Sequence, residues 1–261
     1  MSGEFMEWFH AVFLGIVEGV TEFLPISSTG HLMIAGRLLG LQPTEFLKSF
    51  EIAIQSGAIL AVVLLYWRRL LVDLEVMKRV ASAFLPTAVI GFILYRTVKT
   101  YLMSSEEVAA WALLIGGVIM IVFDRLFRER DDAVCELSKM PYRTAVLIGA
   151  FQALAMIPGV SRSAATILGG MALGLRRKTV VEFSFLLAVP TMAAATGLDI
   201  LKSSHTFNSK EWGLLALGAA VSFAVALISI RWLLAYIRDH GFTAFGVYRI
   251  IAGLGLILFV L

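Results

Sequence analysis

Glu18 and Glu22 stand four residues apart in an apolar stretch, so on a helix their carboxylates share one face and converge on one point. Two carboxylates at that spacing suit a divalent cation or a general acid–base pair. They open a longer polar run, Glu18-Gly-Val-Thr-Glu22-Phe-Leu-Pro25-Ile-Ser27-Ser28-Thr29-Gly30-His31. A related run follows in the second half: Gln152-Ala-Leu-Ala-Met156-Ile-Pro158-Gly159-Val-Ser161-Arg162-Ser163-Ala-Ala-Thr166. Setting Glu18 against Gln152 places Ser27 on Ser161, with a proline between them in each copy. One copy supplies carboxylates and a histidine, and the other supplies an arginine and hydroxyls.

Such groups fit one anion-handling site. Pro25 stops the first helix, and Ser27, Ser28 and Thr29 carry the side chains that cap the next one. In the second copy Pro158-Gly159 breaks the chain, and Ser161-Arg162-Ser163 opens another helix. Two helix N-termini aimed into one cavity make a phosphate site, and Arg162 adds a fork of permanently charged donors. His31 lies four residues after Ser27, close enough in a first helical turn to exchange a proton with it or with a phosphate. Thr166, one turn beyond Arg162, is placed to orient that arginine or a phosphate oxygen. Each feature alone has a plain structural explanation: a capping cluster, an interfacial histidine, a solvated acidic pair, a snorkelling arginine. Their concentration at two related breaks in apolar sequence does not.

The elements that must hold these residues are membrane helices. Of 261 residues, 59% are hydrophobic and 16% charged, and the mean hydropathy is +0.86, which excludes an ordinary soluble domain. Five apolar segments read out in each half. In the first half they are Phe9–Leu24, Ser28–Leu39, Phe50–Trp67, Val80–Tyr95 and Val108–Phe123. In the second they are Thr144–Ile157, Ser163–Leu175, Phe183–Leu201, Trp212–Leu234 and Phe242–Leu261. The first two of each half are short and interrupted at the motif, so each pair is expected to form a re-entrant helical hairpin, with irregular backbone buried in protein. The expected fold is an all-α polytopic membrane protein: six transmembrane helices, plus four short helices in two hairpins. It forms one membrane domain over 1–261, with repeat one at about 8–125, a charged connector at 124–143 and repeat two at about 142–261.

Three spans per half force the second repeat to insert upside down, an inverted-topology repeat. With both termini outside, fourteen Lys and Arg, among them Arg68, Arg69, Lys78, Arg79, Arg176 and Arg177, face the cytoplasm, against six outside. The expected location is therefore a cell membrane, with both termini on the outer side. Met1–His10 carries Glu4 and Glu7 and no Lys or Arg, so it lacks the basic stretch of a signal peptide, and the first segment is expected to be retained. The net charge of +3 belongs to loops and is no nucleic-acid signal.

Other residues carry weaker signals. Glu51 and Gln55 share a helix face and could border the site, and Glu182 and Ser184 hold the corresponding place in the second half. Pro86 and Pro190 read as kinks, and Gly116-Gly117 with Gly253 and Gly255 as close helix packing. Arg162 and Arg249 fall inside membrane segments. His10, His205, Cys135 and Asp131-Asp132 read as surface or loop residues, and no HExxH or CxxC metal motif occurs.

At Glu18–His31 and Pro158–Thr166, with Glu182-Phe-Ser-Phe-Leu-Leu-Ala-Val-Pro190 in support, the chain resembles the undecaprenyl pyrophosphate phosphatase family, the bacitracin-resistance type of bacterial membrane phosphatase. The resemblance covers essentially the whole chain. It implies hydrolysis of undecaprenyl diphosphate to the monophosphate carrier reused in peptidoglycan synthesis, and through depletion of the diphosphate, resistance to bacitracin. It also implies dependence on Mg²⁺ or Ca²⁺, a site opening to the outer face, and homodimers. The catalytic set expected on this basis is Glu18, Glu22, Ser27, His31 and Arg162. Glu18 and Glu22 hold the metal or manage protons, and Ser27, Ser28, Thr29, Ser161, Arg162, Ser163 and Thr166 bind phosphate. Ser27 is the preferred nucleophile, with His31 or Glu22 as base; a phosphohistidine at His31 competes. Type-2 lipid phosphate phosphatases share Ser-Arg and His elements but need partner motifs that are missing here. The rival class is an ion-coupled transporter or flippase of a polyprenyl phosphate, since inverted repeats with broken helices also build transporters.

Overall fold

The computed structural model describes residues 6–42, 44–101, 105–127, 129, 133–202 and 207–259. Arg128, Arg130, Asp131-Asp132 and His205 lie outside them, as do the side chains of Arg96, Lys99 and Lys202. Ten α-helices run through the described residues: α1 Trp8–Thr21, α2 Ser28–Leu38, α3 Glu45–Leu71, α4 Leu74–Tyr101, α5 Glu106–Leu126, α6 Tyr142–Gln152, α7 Arg162–Ala172, α8 Arg177–Lys202, α9 Ser209–Asp239 and α10 Thr243–Phe259. The only strand-like pairing among them is a parallel bridge between Val134 and Leu175.

Five of these helices, α3, α4, α5, α8 and α9, are long and apolar enough to cross a membrane. With large apolar side chains such as Leu60, Leu85, Phe92, Ile115 and Ile228 exposed on their flanks, this is a multi-pass membrane protein. All ten expected segments are helices, and the long ones extend several residues past their apolar cores into charged ends. The tenth differs in length: α10 spans 17 described residues, short of the ~20 of a simple spanning helix.

Local chemistry explains where the helices start. Thr44 accepts from the Leu47 amide at 3.1 Å, Ser105 from Val108 at 3.2 Å and Ser161 from Ala164 at 3.2 Å. Asn208 and Glu211 cap α9 reciprocally. His10 does the same for α1, its Nδ1 accepting from the Glu7 amide at 3.0 Å. It is buried, which corrects the expectation of a surface residue: the ring is consumed in capping and packed against Phe9. Cys135 is exposed, as expected.

The helices pair in an ordered way. α5 packs along α10, α9 along both α1 and α3, α4 along α6, and α8 along α3, α4 and α7. α2 returns against α1, and α7 against α6. The α1–α9 contact is backbone on backbone: a Cβ added at Gly15 would sit 2.8 Å from the Gly218 carbonyl, and one at Gly19 2.7 Å from that of Ser222. Small residues buy this approach where lipid supplies no hydrophobic drive. Gly15→Val is therefore expected to lower stability by about 1–3 kcal/mol, read as a drop in melting temperature in detergent; an unchanged melt would refute the contact. Gly116, Gly117 and Gly253 pack as closely, but Gly255 faces open space. The expectation of close packing holds for the first three and fails for the last, because Gly255 lies off the α5 face. Pro86 and Pro190 lie inside α4 and α8.

Candidate active site

The first break follows α1. Glu22 keeps helical dihedrals, its amide bonding the Glu18 carbonyl at 2.9 Å, and the chain then turns through Pro25 to α2. Ser27 occupies the N-cap of α2 with φ 72°, the one non-glycine residue at positive φ among the described residues. That conformation is strained for a side chain, and strain of this kind concentrates at functional sites. It also prevents ordinary capping, since the Ser27 hydroxyl makes no cap bond. The second break follows α6 through a 3₁₀ turn, Ala153–Met156. Gly159 turns it at φ +84°, against the Ala109 backbone, and Ser161 caps α7.

The two breaks meet. Arg162 Nη2 donates to Glu22 Oε1 at 2.9 Å, an ion pair with side chains 12% and 6% exposed. Its Nη1 donates to the Ser184 carbonyl at 2.8 Å, and its guanidinium lies 5.6 Å from the Phe23 ring centroid. The other Glu22 oxygen, Oε2, accepts from Ser28 Oγ at 2.6 Å. Ser163 Oγ donates to the Leu24 carbonyl at 2.8 Å, a bond from the second break to the first. Ser161 and Ser163 hydroxyls are 2.9 Å apart. Thr166 Oγ1 pairs with Ser184 Oγ at 2.6 Å and donates to its own helix's carbonyls. It thus steadies Ser184, which in turn holds Arg162.

The remaining expected residues fall nearby. His31 Nδ1 bonds the Ser27 carbonyl at 2.7 Å, and Nε2 bonds the Tyr248 hydroxyl at 2.8 Å. Thr29 is exposed in the first turn of α2. Glu18 is fully buried with both carboxylate oxygens unpartnered, and it interacts electrostatically with Glu22, Glu51 and Arg162. Arg162 Nε is likewise a buried donor with no acceptor. A buried carboxyl with no donor and a buried arginine N–H with no acceptor are costly unless a ligand completes them. A hard cation at Glu18 and an anion at Arg162 would complete them.

The donor set fits such a cation in part. Among the described residues no group of three or more His, Cys, Asp or Glu converges, so there is no all-protein cage. Two carboxylates with substrate phosphates and water are the usual holders of Mg²⁺, and Glu18, with two unengaged oxygens, is the better placed.

The model of the bacitracin resistance protein BacA family matches residues 11–255, which include both breaks and every residue of the site described here. The chain belongs to this family. It is 51% identical to the undecaprenyl-diphosphatase of Aquifex aeolicus over 95% of this chain and 96% of that one. It is 48% identical to that of Bdellovibrio bacteriovorus, covering 97% and 96%. The figure is 47% for that of Thermus thermophilus, covering 95% of each.

Within this BacA-family chain the expected site residues gather at the two breaks, and three further contributors join them. Ser184, noted in sequence only as a counterpart of Gln55's region, supplies two acceptors to Arg162. Tyr248 bonds His31. Arg249 bonds carbonyls of both breaks, Pro25 at 3.2 Å and Gly159 at 3.0 Å. An arginine inside an apolar segment was a visible signal for the last; nothing in the sequence marks Tyr248 apart from that neighbour.

Proposed function

We propose that this protein is an integral membrane phosphatase that hydrolyses undecaprenyl diphosphate to undecaprenyl phosphate and inorganic phosphate. The monophosphate is the carrier recycled for cell-wall synthesis, and lowering the diphosphate pool gives bacitracin resistance. The observation that carries the site is the buried Arg162–Glu22–Ser28 chain, which joins an anion-binding fork, a carboxylate and a hydroxyl across the two breaks. Hydrolase names on relatives near half identical over nearly the whole chain support the enzyme over the transporter.

Roles follow from the contacts. A hydroxyl held at hydrogen-bond distance by a carboxylate is the arrangement of a nucleophile and its base, which favours Ser28 over Ser27. Ser28 Oγ attacks the terminal phosphorus; its proton passes to Glu22, the anhydride P–O bond breaks, and undecaprenyl phosphate leaves. Water then attacks the phosphoserine, returning the hydroxyl and releasing phosphate. Arg162 Nε and the amides opening α2 and α7 stabilise the equatorial oxygens, the main task in phosphoryl transfer. Ser27 acts through its backbone, its carbonyl anchoring His31. A phosphohistidine is disfavoured because Nε2 is covered by Tyr248. Glu18, with Glu22, would hold Mg²⁺ or Ca²⁺, whose chemistry is to offset diphosphate charge.

The same reading extends to the architecture. Exchanging α1–α5 with α6–α10 maps several of the main pairings onto one another: α1·α9 onto α6·α4, α1·α2 onto α6·α7, with α5·α10 and α3·α8 mapping to themselves. This supports two inverted repeats in one membrane domain. α1–α2 and α6–α7 are the re-entrant hairpins, and α10 is the sixth span. Both termini and the site mouth face outward in the bacterial cell membrane, and two copies pair as a dimer.

The test is phosphate release from a polyprenyl diphosphate by purified protein in detergent, with Mg²⁺ or Ca²⁺ and then with EDTA. Metal-dependent release is expected; none from folded protein would overturn the phosphatase. Glu18→Gln is expected to raise the metal concentration for half-maximal activity about tenfold or more, the scale of losing one interaction of ~1.4 kcal/mol. An unshifted metal titration would remove Glu18 from the cation site.

A further inference from the structure

Arg249 is 1% exposed midway along α10, and no carboxylate among the described residues pairs with it. Its partners are three carbonyls: Pro25 at 3.2 Å, Gly159 at 3.0 Å and Ala112 of α5 at 3.1 Å. Pro25 belongs to the first break and Gly159 to the second, so one guanidinium spans both. The space it occupies exists because Gly116 carries no side chain; a Cβ there would overlap Nη2. The preceding residue, Tyr248, stacks on His31 with ring centroids 5.4 Å apart and planes 4° from parallel, and bonds its Nε2. Because the Ser27 carbonyl only accepts, Nδ1 of His31 carries a proton, and in the neutral ring Nε2 receives the tyrosine O–H.

We propose that Tyr248 and Arg249, successive residues of α10, are positioning residues of the phosphoryl-transfer site. Arg249 fixes the separation of the two breaks and adds a positive charge no acid neutralises; Tyr248 fixes the tautomer and plane of His31. The proposal rests on reading the two breaks as the phosphatase site. Its physical basis is cost. A cation buried on neutral carbonyls recovers little of its hydration, and a clamp alone could be built without charge. Placed where its field acts on His31, the charge favours an anion between the breaks, and a diphosphate is such an anion. Lysine cannot reproduce the clamp, since a single ammonium does not span three carbonyls in a plane.

The experiment compares wild type, Tyr248→Phe, Arg249→Lys, Arg249→Met, Ser28→Ala and Arg162→Ala as full-length proteins in detergent. Rates on a polyprenyl diphosphate are taken across pH, with a thermal melt for each. Tyr248→Phe keeps the stacked ring and removes the hydroxyl. Its kcat is expected to fall about tenfold with KM unchanged, and one limb of the pH–rate profile to move, which a structural role would not produce. Arg249→Lys is expected to lose about 10²-fold in kcat/KM, the scale of a misplacement near 1 Å, and to recover more activity than Arg249→Met. A wild-type pH profile and kcat in Tyr248→Phe would overturn the role of Tyr248. Wild-type kcat/KM in either folded Arg249 variant would overturn that of Arg249. If both Arg249 variants fail to fold, Tyr248→Phe decides the proposal alone. Wild-type activity in both Ser28→Ala and Arg162→Ala would sink the site reading instead, so the two failures are distinguishable.

Discussion

Ser28→Ala is expected to lower kcat at least about 10⁴-fold, the scale on which removal of an attacking hydroxyl is felt, with a melting temperature near wild type. The residue is small, sits at the start of α2, and its one side-chain bond is to Glu22. The informative companion is Ser27→Gly. A non-glycine residue at φ 72° carries roughly 1–3 kcal/mol of backbone strain, which glycine relieves. Ser27→Gly is therefore expected to melt no lower than wild type and to keep activity within about tenfold, a loss of no more than ~1.4 kcal/mol of transition-state stabilisation. Phosphate release and thermal melts on the two variants check both statements. The reverse pattern, an active Ser28→Ala beside a dead Ser27→Gly, would return the attacking role to Ser27.

Arg162→Ala is expected to cost about 10³-fold or more in kcat, the range seen where an arginine steadies a transferring phosphoryl group. Stability suffers as well, because Glu22 is then left as a buried charge without its partner, a loss of roughly 3–5 kcal/mol. Arg162→Lys separates the two effects. It keeps the charge and so most of the stability, but an ammonium cannot serve Glu22 and the Ser184 carbonyl at once, as the fork does. A folded Arg162→Lys with near-normal kcat would show that charge suffices and that the fork geometry plays no part.

The helices were legible because apolar runs and their breaks are written in order along the chain. All ten segments could be placed; the long ones run past their expected ends because charged side chains extend helices beyond the hydrocarbon, while α1, α6 and α7 stop short of theirs because the chain that turns away from them is itself apolar. The meeting of the two breaks was legible from complementary chemistry: carboxylates in one copy, an arginine in the other. The nucleophile was less so. Ser27 and Ser28 are adjacent and chemically identical, and only the left-handed turn at Ser27 and the bond from Ser28 to Glu22 tell them apart. Tyr248 and Arg249 were the least legible contributors, for they reach the site from more than two hundred residues away from His31 and Pro25 in sequence. His10 misled because a buried capping histidine has no pattern beyond a glutamate three residues before it.

The Glu22–Arg162 pair has a consequence for how the protein is made. Its two members are synthesised 140 residues apart, so on the proposed re-entrant reading each would enter the bilayer on a short helix before the other is in place. An unmatched arginine at such depth costs on the order of 2.5–3.5 kcal/mol by insertion measurements. On that reading each half is a metastable guest in the membrane until the other docks. The same pair would then serve as a biogenesis checkpoint: a chain whose halves have not met would keep an orphan charge in lipid, the feature by which membrane quality control could tell it from a finished enzyme.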